Sequence, residues 1–387
     1  MNPDILKDEI QDYIFDFSGD SSKLAFRGSP FSEVTVQELL IQIEGRKKVE
    51  KKLPTWYETR GILYSKKLNL EQSSSEETAK YKASLVKGER LADLTGGFGV
   101  DSFYFAKSFK KVEYYEQDAT LAKTVCHNFS ILQNENIECF EGNSLEMIEE
   151  KYYDCIYVDP ARRHDLKGKV FMLSDCEPNI IEHLGFVLDR CKTLIIKTSP
   201  MLDISAGLKQ LGYVKEIHLV AVENDLKELI WLLEPGYDGE IHIQTIDFTK
   251  HGLEKWNVSW NNSEEPSYSQ PLSYLYEPNV AIMKSGKFGA LSKYFSVNKL
   301  HLNSHLFTSE KLVQFPGRRF EIISVMPYSK ESMRTLKKTK VNITTRNFPE
   351  TVANLRKKWK IKEGGNAYLF FSTNINGEKI ILQCCKV

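Results

Sequence analysis

The stretch Leu91-Ala92-Asp93-Leu94-Thr95-Gly96-Gly97-Phe98-Gly99-Val100-Asp101 constrains this chain more than any other. A short apolar lead-in ends on an acid, three glycines fall within four positions, and an apolar helix begins at Ser102-Phe103. That order predicts a strand feeding a tight turn that opens a helix, with bare backbone brought against a ligand. Helix N-termini attract anions, so a dinucleotide pyrophosphate is one candidate. Asp93 at the strand's end argues against it, because a carboxylate repels phosphate and suits a cationic amino-acid moiety instead. Glu116, twenty positions after Gly96, has the spacing of a carboxylate that takes ribose hydroxyls.

At 387 residues the chain is long enough for two or three domains. Lysine plus arginine equals aspartate plus glutamate at 52 each, so any polyanion must be met by a local patch. Hydrophobic residues at 41% describe an ordinary soluble protein. No apolar run approaches the roughly 20 residues that cross a bilayer, so no membrane partner is expected. Met1-Asn2-Pro3-Asp4 opens without the profile of a signal peptide. Seven cysteines without CxxC spacing read as reduced thiols of a cytoplasmic protein, and eight histidines without ligand spacing predict no metal.

Residues 1–87 read as a helical region. Within it Ser73-Ser74-Ser75-Glu76-Glu77 holds two overlapping Ser-x-x-Glu capping boxes ahead of a helix at 78–85. From 88 to 235 strands alternate with helices, which predicts an α/β, Rossmann-like parallel sheet covered on both faces. Strands are expected at 90–94, 111–116, 137–141, 155–158 and 193–197. Val214–Val222 and Lys227–Leu233, joined by a short turn, predict an antiparallel hairpin at the sheet's end. A small strand-rich linking domain, with ferredoxin-like as one reading, is expected at 236–272. An α+β domain follows at 273–387.

Tyr157-Val158-Asp159-Pro160-Ala161-Arg162-Arg163 follows an apolar strand and so points into the crevice where doubly wound sheets bind ligands. The Asp159 carboxylate and the Pro160 carbonyl can both accept from an amine, orienting its lone pair for in-line transfer by positioning alone. A strand-ending Asp-Pro turn is the plain alternative. Gly142-Asn143-Ser144 follows the third strand, where an Asn both accepts and donates. Lys197 ends the fifth strand, facing the crevice or capping a buried strand end.

These residues resemble class I S-adenosylmethionine-dependent methyltransferases. More narrowly, they are similar to the bacterial methyltransferase-like proteins that carry a C-terminal THUMP-like domain. The likeness is carried by Glu71-Gln72-Ser73-Ser74-Ser75-Glu76, the glycine loop, Asp159-Pro160-Ala161-Arg162-Arg163 and Ile196-Lys197-Thr198-Ser199-Pro200. Farther on, Tyr276-Glu277-Pro278-Asn279, Phe315-Pro316-Gly317-Arg318 and Arg346-Asn347-Phe348-Pro349 extend it. The resemblance implies S-adenosyl-L-methionine as cofactor, in a crevice lined by Asp93, Gly96, Gly97, Gly99, Glu116, Asn143 and Asp159. Thr95, Asp101, Gln117 and Ser144 beside them are counted into the same crevice. It implies a structured RNA substrate, a tRNA or rRNA. Catalysis is expected at Asp159 and Pro160 from their position, with Arg162 either joining them or, like Arg163, a surface charge or a partner for Asp165 or Asp175. Ala161 departs from the aromatic residue that base N-methyltransferases usually place after the Pro, so an arginine plane would have to stack on the base or clamp a phosphate.

Between Glu331 and Lys362 lie ten Lys/Arg residues against two acids, a nucleic-acid footprint or a solvated face. Arg163, Lys197, Arg318, Arg346, Lys357 and Lys358 are the RNA-contact candidates, with Phe348 and Trp359 as stacking platforms or core. A methyltransferase of base nitrogen in RNA is the leading expectation. A protein or small-molecule methyltransferase, or a non-catalytic RNA-binding protein with this fold, are the alternatives.

Overall fold

The computed structural model describes residues 2–65, 67–162 and 172–387. Its contacts divide into two compact units, residues 1–215 with 230–238, and residues 216–229 with 239–387.

The first unit opens with helices. Val36–Val49 starts at Thr35, whose hydroxyl and Glu38 form a reciprocal capping box, and ends with Arg46, Lys47 and Lys48 in its last turn. Acid at the start and base at the end complement the helix dipole, which accounts for the basic cluster locally. Its apolar face packs Leu39 and Ile43 against Ile10, Ile14, Leu24 and Leu63. The helix Glu76–Ser84 is capped by Ser75, which accepts from the Thr78 amide. The cap is thus Ser75, one or two positions beyond the Ser73 and Ser74 of the two expected boxes. Glu76 is instead drawn inward, where its carboxylate takes the Tyr104 hydroxyl at 2.6 Å and the Thr55 hydroxyl at 3.0 Å.

The sheet follows as read. Its strands are β1 (Gly88–Asp93), β2 (Phe109–Glu116), β3 (Ile137–Glu141), β4 (Tyr153–Val158) and β5 (Cys191–Thr198). They are ordered β3-β2-β1-β4-β5, all parallel. Helices Val100–Phe105, Ala119–Ile131 and Ile204–Gln210 connect or flank them. Central strands of such a sheet are buried on both faces. Leu91, Ala92, Tyr114, Tyr115, Ile156, Tyr157, Ile195 and Ile196 are accordingly at most 1% exposed. The strands β6 (Val214–Val222) and β7 (Asp225–Leu233) form the expected hairpin, with β7 beside β5. Glu223 and Asn224 between them both have left-handed φ, 51° and 61°, as a two-residue type I′ turn requires. The boundary between the units runs through this hairpin. Cys126 and Cys139 are joined by a disulfide, Cα–Cα 6.2 Å, which corrects the expectation of reduced thiols at these two positions. The helix Ala119–Ile131 and β3 lie side by side, bringing two cysteines far apart in sequence pattern into register.

In the second unit, β8 (His242–Thr249) pairs parallel with β6 and antiparallel with β9 (Gly252–Ser259). A separate seven-stranded sheet comprises β10 (Tyr274–Pro278), β11 (Asn298–Lys299), β12 (Phe307–Ser309), β13 (Gly317–Pro327), β14 (Asn342–Thr345), β15 (Ala367–Thr373) and β16 (Lys379–Lys386). The order is β11-β12-β10-β13-β16-β15-β14, antiparallel except for β14 against β15. Two cores form, one around Leu275, Phe320, Phe370 and Leu382, the other around Met333, Leu355, Phe371 and Ile381. Alternation along β15 sends Phe370 to one and Phe371 to the other. Among the described residues, no helix is long and apolar enough to cross a membrane.

Gly207 gives a test of the first unit's packing. A Cβ there would lie 2.4 Å from the Trp231 ring. Helix propensity alone favours alanine by about 1 kcal/mol, but overpacking against a buried indole costs roughly 1–3 kcal/mol. Gly207→Ala is expected to lower the melting temperature; an unchanged or raised midpoint in a thermal melt would show that the indole yields.

Candidate functional site

The glycine turn follows β1. Gly97 and Gly99 have φ of 54° and 76°, conformations that side chains rarely adopt. At Gly96 a Cβ would lie 2.1 Å from the Tyr114 ring, so the turn is pressed onto β2. The Gly96 amide donates to the Tyr115 carbonyl at 2.8 Å, and the Gly97 amide to Glu116 Oε2 at 2.9 Å. Glu116 also accepts from the Asp118 amide at 2.9 Å, so backbone donors fix its carboxylate at the end of β2. Gln117 beside it is exposed.

Asp93 is 1% exposed. Ser102 donates to one of its oxygens at 2.5 Å and the Thr95 amide to the other at 3.1 Å. Burial pushes its carboxyl up to about 7, the Ser102 hydrogen bond opposes the rise, and the nearby Asp101 and Asp159 charges add to it. Asp101, also buried, behaves oppositely. Burial by itself would raise it, but the charges of Lys82 and Lys197, with hydrogen bonds from Ser74 and Tyr157, hold it below the usual carboxylate range. Lys82 Nζ lies 3.2 Å from Asp101 Oδ1 with its side chain fully enclosed. Ser74 and Tyr157 hydroxyls each donate to Asp101 Oδ2 at 2.8 Å. Ser74 and Lys82 are therefore part of the site's wall. Their sequence signal was the Ser-rich start of the helix at 76–84, read there only as a cap.

At the end of β4 the Asp159 amide donates to Thr95 Oγ1 at 2.7 Å. One hydroxyl thus ties the glycine turn to the Asp159-Pro160 step. Lys197, at the end of β5, pairs with Asp159 Oδ2. Residues 161–162 form a two-residue ribbon with 176–177. Arg163 lies outside the described residues, as do His164 and Asp165, and only the backbone of Arg162 is described.

Asn143 is exposed and caps the helix Ser144–Met147, its Oδ1 taking the Leu145 amide at 3.2 Å and its amide donating to Glu146 at 2.7 Å. Ser144 is buried and donates to the Leu94 carbonyl at 2.9 Å. Asp93, Thr95, Gly96, Gly97, Asp101, Glu116, Asp159 and Lys197 thus gather at the carboxyl ends of four adjacent strands. Gly99 sits behind them, where a Cβ would meet Val125 at 2.5 Å and Phe129 at 2.7 Å.

The remaining candidates belong to the second unit. Arg318 and Arg346 converge on Glu277, with Nε donors at 2.6 and 2.9 Å. Lys358 pairs with Glu350 at 3.2 Å, and Lys357 is exposed on the same helix, Val352–Trp359. Phe348 and Trp359 pack against the core around Phe371 rather than standing out from it. They are core residues that happen to lie among charges.

Residues 274–316 match the family described as a ferredoxin-like domain, and residues 317–386 the family described as THUMP domain-like. No curated protein matches the chain. A candidate methyltransferase from Porphyromonas gingivalis W83 is similar at 30% identity and a TM-score of 0.84, covering 97% of this chain and 94% of that one. An rRNA methylase from Streptococcus thermophilus aligns at 19% identity and TM-score 0.30, over 41% of this chain and 93% of its own. TrmK of M. capricolum, bound to S-adenosyl-homocysteine, aligns at 13% and 0.32, over 41% and 68%. With its glycine turn, its strand order and its C-terminal sheet, the chain belongs to the family of class I methyltransferase-like proteins that carry a THUMP-like domain.

Proposed function

We propose that this protein is an S-adenosylmethionine-dependent methyltransferase acting on a base nitrogen in structured RNA. The observation that carries the reading is the Thr95 hydroxyl bond to the Asp159 amide at 2.7 Å. It joins a buried acid and a glycine turn on one strand to an Asp-Pro step on the next, the two halves a methyl transfer needs side by side.

The residues fit the cofactor. Asp93, desolvated and with its carboxyl raised to about 7, gains from a cationic neighbour such as an α-ammonium or sulfonium. Glu116, fixed by two backbone amides, suits ribose hydroxyls. Gly96, Gly97 and Gly99 bring backbone close, and Asp101 with Lys82 would supply polar groups at the back wall. When bound, the cofactor supplies an activated methyl group. The chain's own part is positional. Asp159 keeps one carboxylate oxygen on Lys197 and would offer the other, with the Pro160 carbonyl, to the target amine. Lys197 acts here as a positioning residue that holds the Asp159 rotamer. An amine loses its proton readily once methylated, so no dedicated base is needed. The RNA assignment draws on the THUMP domain-like match at 317–386 and on the cationic segment at 331–362.

Two measurements test this. Tritium-labelled cofactor incubated with bulk RNA should label it, and Asp159→Ala should reduce labelling by roughly 100-fold through lost orientation. Labelling of protein or small molecules alone would reassign the substrate, and no cofactor binding by calorimetry would remove the enzyme reading. Asp93 gives the second. Its folded pKa is raised from 3.8 to about 7, so the stability it contributes is complete below pH 3.8 and lost as pH rises through 7. The melting temperature of the wild type should therefore fall more between pH 5 and 8 than that of Asp93→Asn. Cofactor affinity should move the other way, rising through pH 7 in the wild type and staying flat in the variant. Parallel profiles in both assays would show that Asp93 does not titrate there.

A further inference from the structure

We propose that Arg318 and Arg346, held together on Glu277, form a phosphate-binding fork in the C-terminal unit that takes a phosphodiester of the RNA. The identity of the polymer rests on the functional reading above; the anion chemistry rests on the geometry.

Glu277 lies in β10 directly opposite Arg318 in β13. Its side chain is 5% exposed, and each of its oxygens meets a different guanidinium. Arg318 Nε donates to Oε2 at 2.6 Å. Arg346 Nε donates to Oε1 at 2.9 Å, and its Nη2 lies 2.7 Å from the same oxygen. A buried carboxylate needs one cation for neutrality. The second leaves a surplus positive charge shared by two groups whose side chains remain 39% and 43% exposed. A structural Arg–Glu–Arg triad carries the same surplus, so what distinguishes this one is that both guanidiniums keep an exposed edge on which an anion can be received.

Both guanidiniums are also fixed in advance. Arg318 lies over the rings of Phe320 and Phe370, at 5.6 and 5.9 Å from their centres, and its Nη2 reaches Thr344 Oγ1 at 3.4 Å. The Arg346 amide is bonded to the Phe371 carbonyl at 2.9 Å, anchoring its backbone to β15. Among the described residues neither Nη1 group has a protein acceptor, so each arginine keeps donors for a ligand. Long cationic side chains normally lose entropy on gripping a ligand; here that ordering is already done by Glu277 and the rings. Planar guanidinium donors match the oxygens of a phosphate better than a lysine does. The cavity beside Arg318 is of mixed charge, with Glu223, Asp247 and Glu254 as well as Lys250 and Lys386, whereas positive charge gathers on the Arg346 side. Burial first, and then Lys299 and Arg346, push the His305 imidazole down to about 4, so it stays neutral beside the fork.

Phenylglyoxal labelling of the full chain, read residue by residue by peptide mass spectrometry, tests the fork without a substitution. Saturating stem-loop RNA oligonucleotide should protect Arg318 and Arg346; equal labelling with and without it would overturn the proposal. Arg346→Gln leaves a neutral Arg318–Glu277 pair and removes only the surplus charge. It should weaken oligonucleotide binding by roughly tenfold and lower the slope of log affinity against log salt by about 0.7–0.9, with cofactor affinity unchanged. Unchanged affinity and slope in a variant that melts like the wild type would sink the fork and leave the RNA reading standing. Should the variant not fold, the labelling result on the wild type decides. If no RNA binds the wild type at all, the functional reading fails. Millimolar inorganic phosphate then becomes the probe, and absence of protection by it would refute the fork too.

Discussion

The buried ion pair between Lys82 and Asp101 is the constraint on which the first unit's ligand end depends. A charge removed from water survives only with a close partner and further hydrogen bonds. Asp101 has Lys82 at 3.2 Å and two hydroxyl donors, and Lys82 has no solvent contact. The pair fastens the helix before β1 to the helix after the glycine turn. The helix Glu76–Ser84 is therefore tied to the carboxyl end of the sheet, a relation that composition and periodicity do not reveal.

Two aspartates eight positions apart illustrate how environment assigns charge. Asp101 is held ionised by cations, while Asp93, with hydroxyl and amide donors but, among the described residues, no cation in contact, is raised towards neutrality. Pairs of acids pushed in opposite directions are a recurring mark of sites that handle charged ligands. The cationic segment at 331–362 divides in a similar way. Arg356 is bonded to the carbonyls of Val341 and Ile361, Lys358 is paired with Glu350, and Arg346 alone of these three sits in an arrangement with charge to spare.

Much of the sheet was legible because parallel strands buried on both faces read as compact apolar runs between glycine and polar turns. Ile137–Glu141 and Val214–Val222 have the expected bounds, and Cys191–Thr198 extends beyond 193–197 by only a few residues. The glycine turn was legible for the same reason, since its local geometry is written in consecutive residues. What escaped depends on partners distant in sequence. Glu76 looked like a capping residue until Tyr104 and Thr55 claimed it, and nothing in its helix marks Lys82 as the buried partner of Asp101. Trp359 and Phe348 sat among charges yet pack inward. The Cys126–Cys139 link likewise needed the helix and strand to be laid side by side. Glu277 stood out only as part of the Tyr276–Asn279 stretch, and its partnership with Arg318 follows from the pairing of β10 with β13.

Thr95 carries a consequence for how such a chain can move. Its amide holds Asp93 and its hydroxyl holds the Asp159 amide, so a single residue latches two neighbouring strand tips. While both bonds hold, the turn and the Asp159 backbone move as one piece. Under the function proposed above, admission of one reactant and the shape presented to the other would then share one mechanical coordinate. Valine, the same shape without the oxygen, would uncouple them.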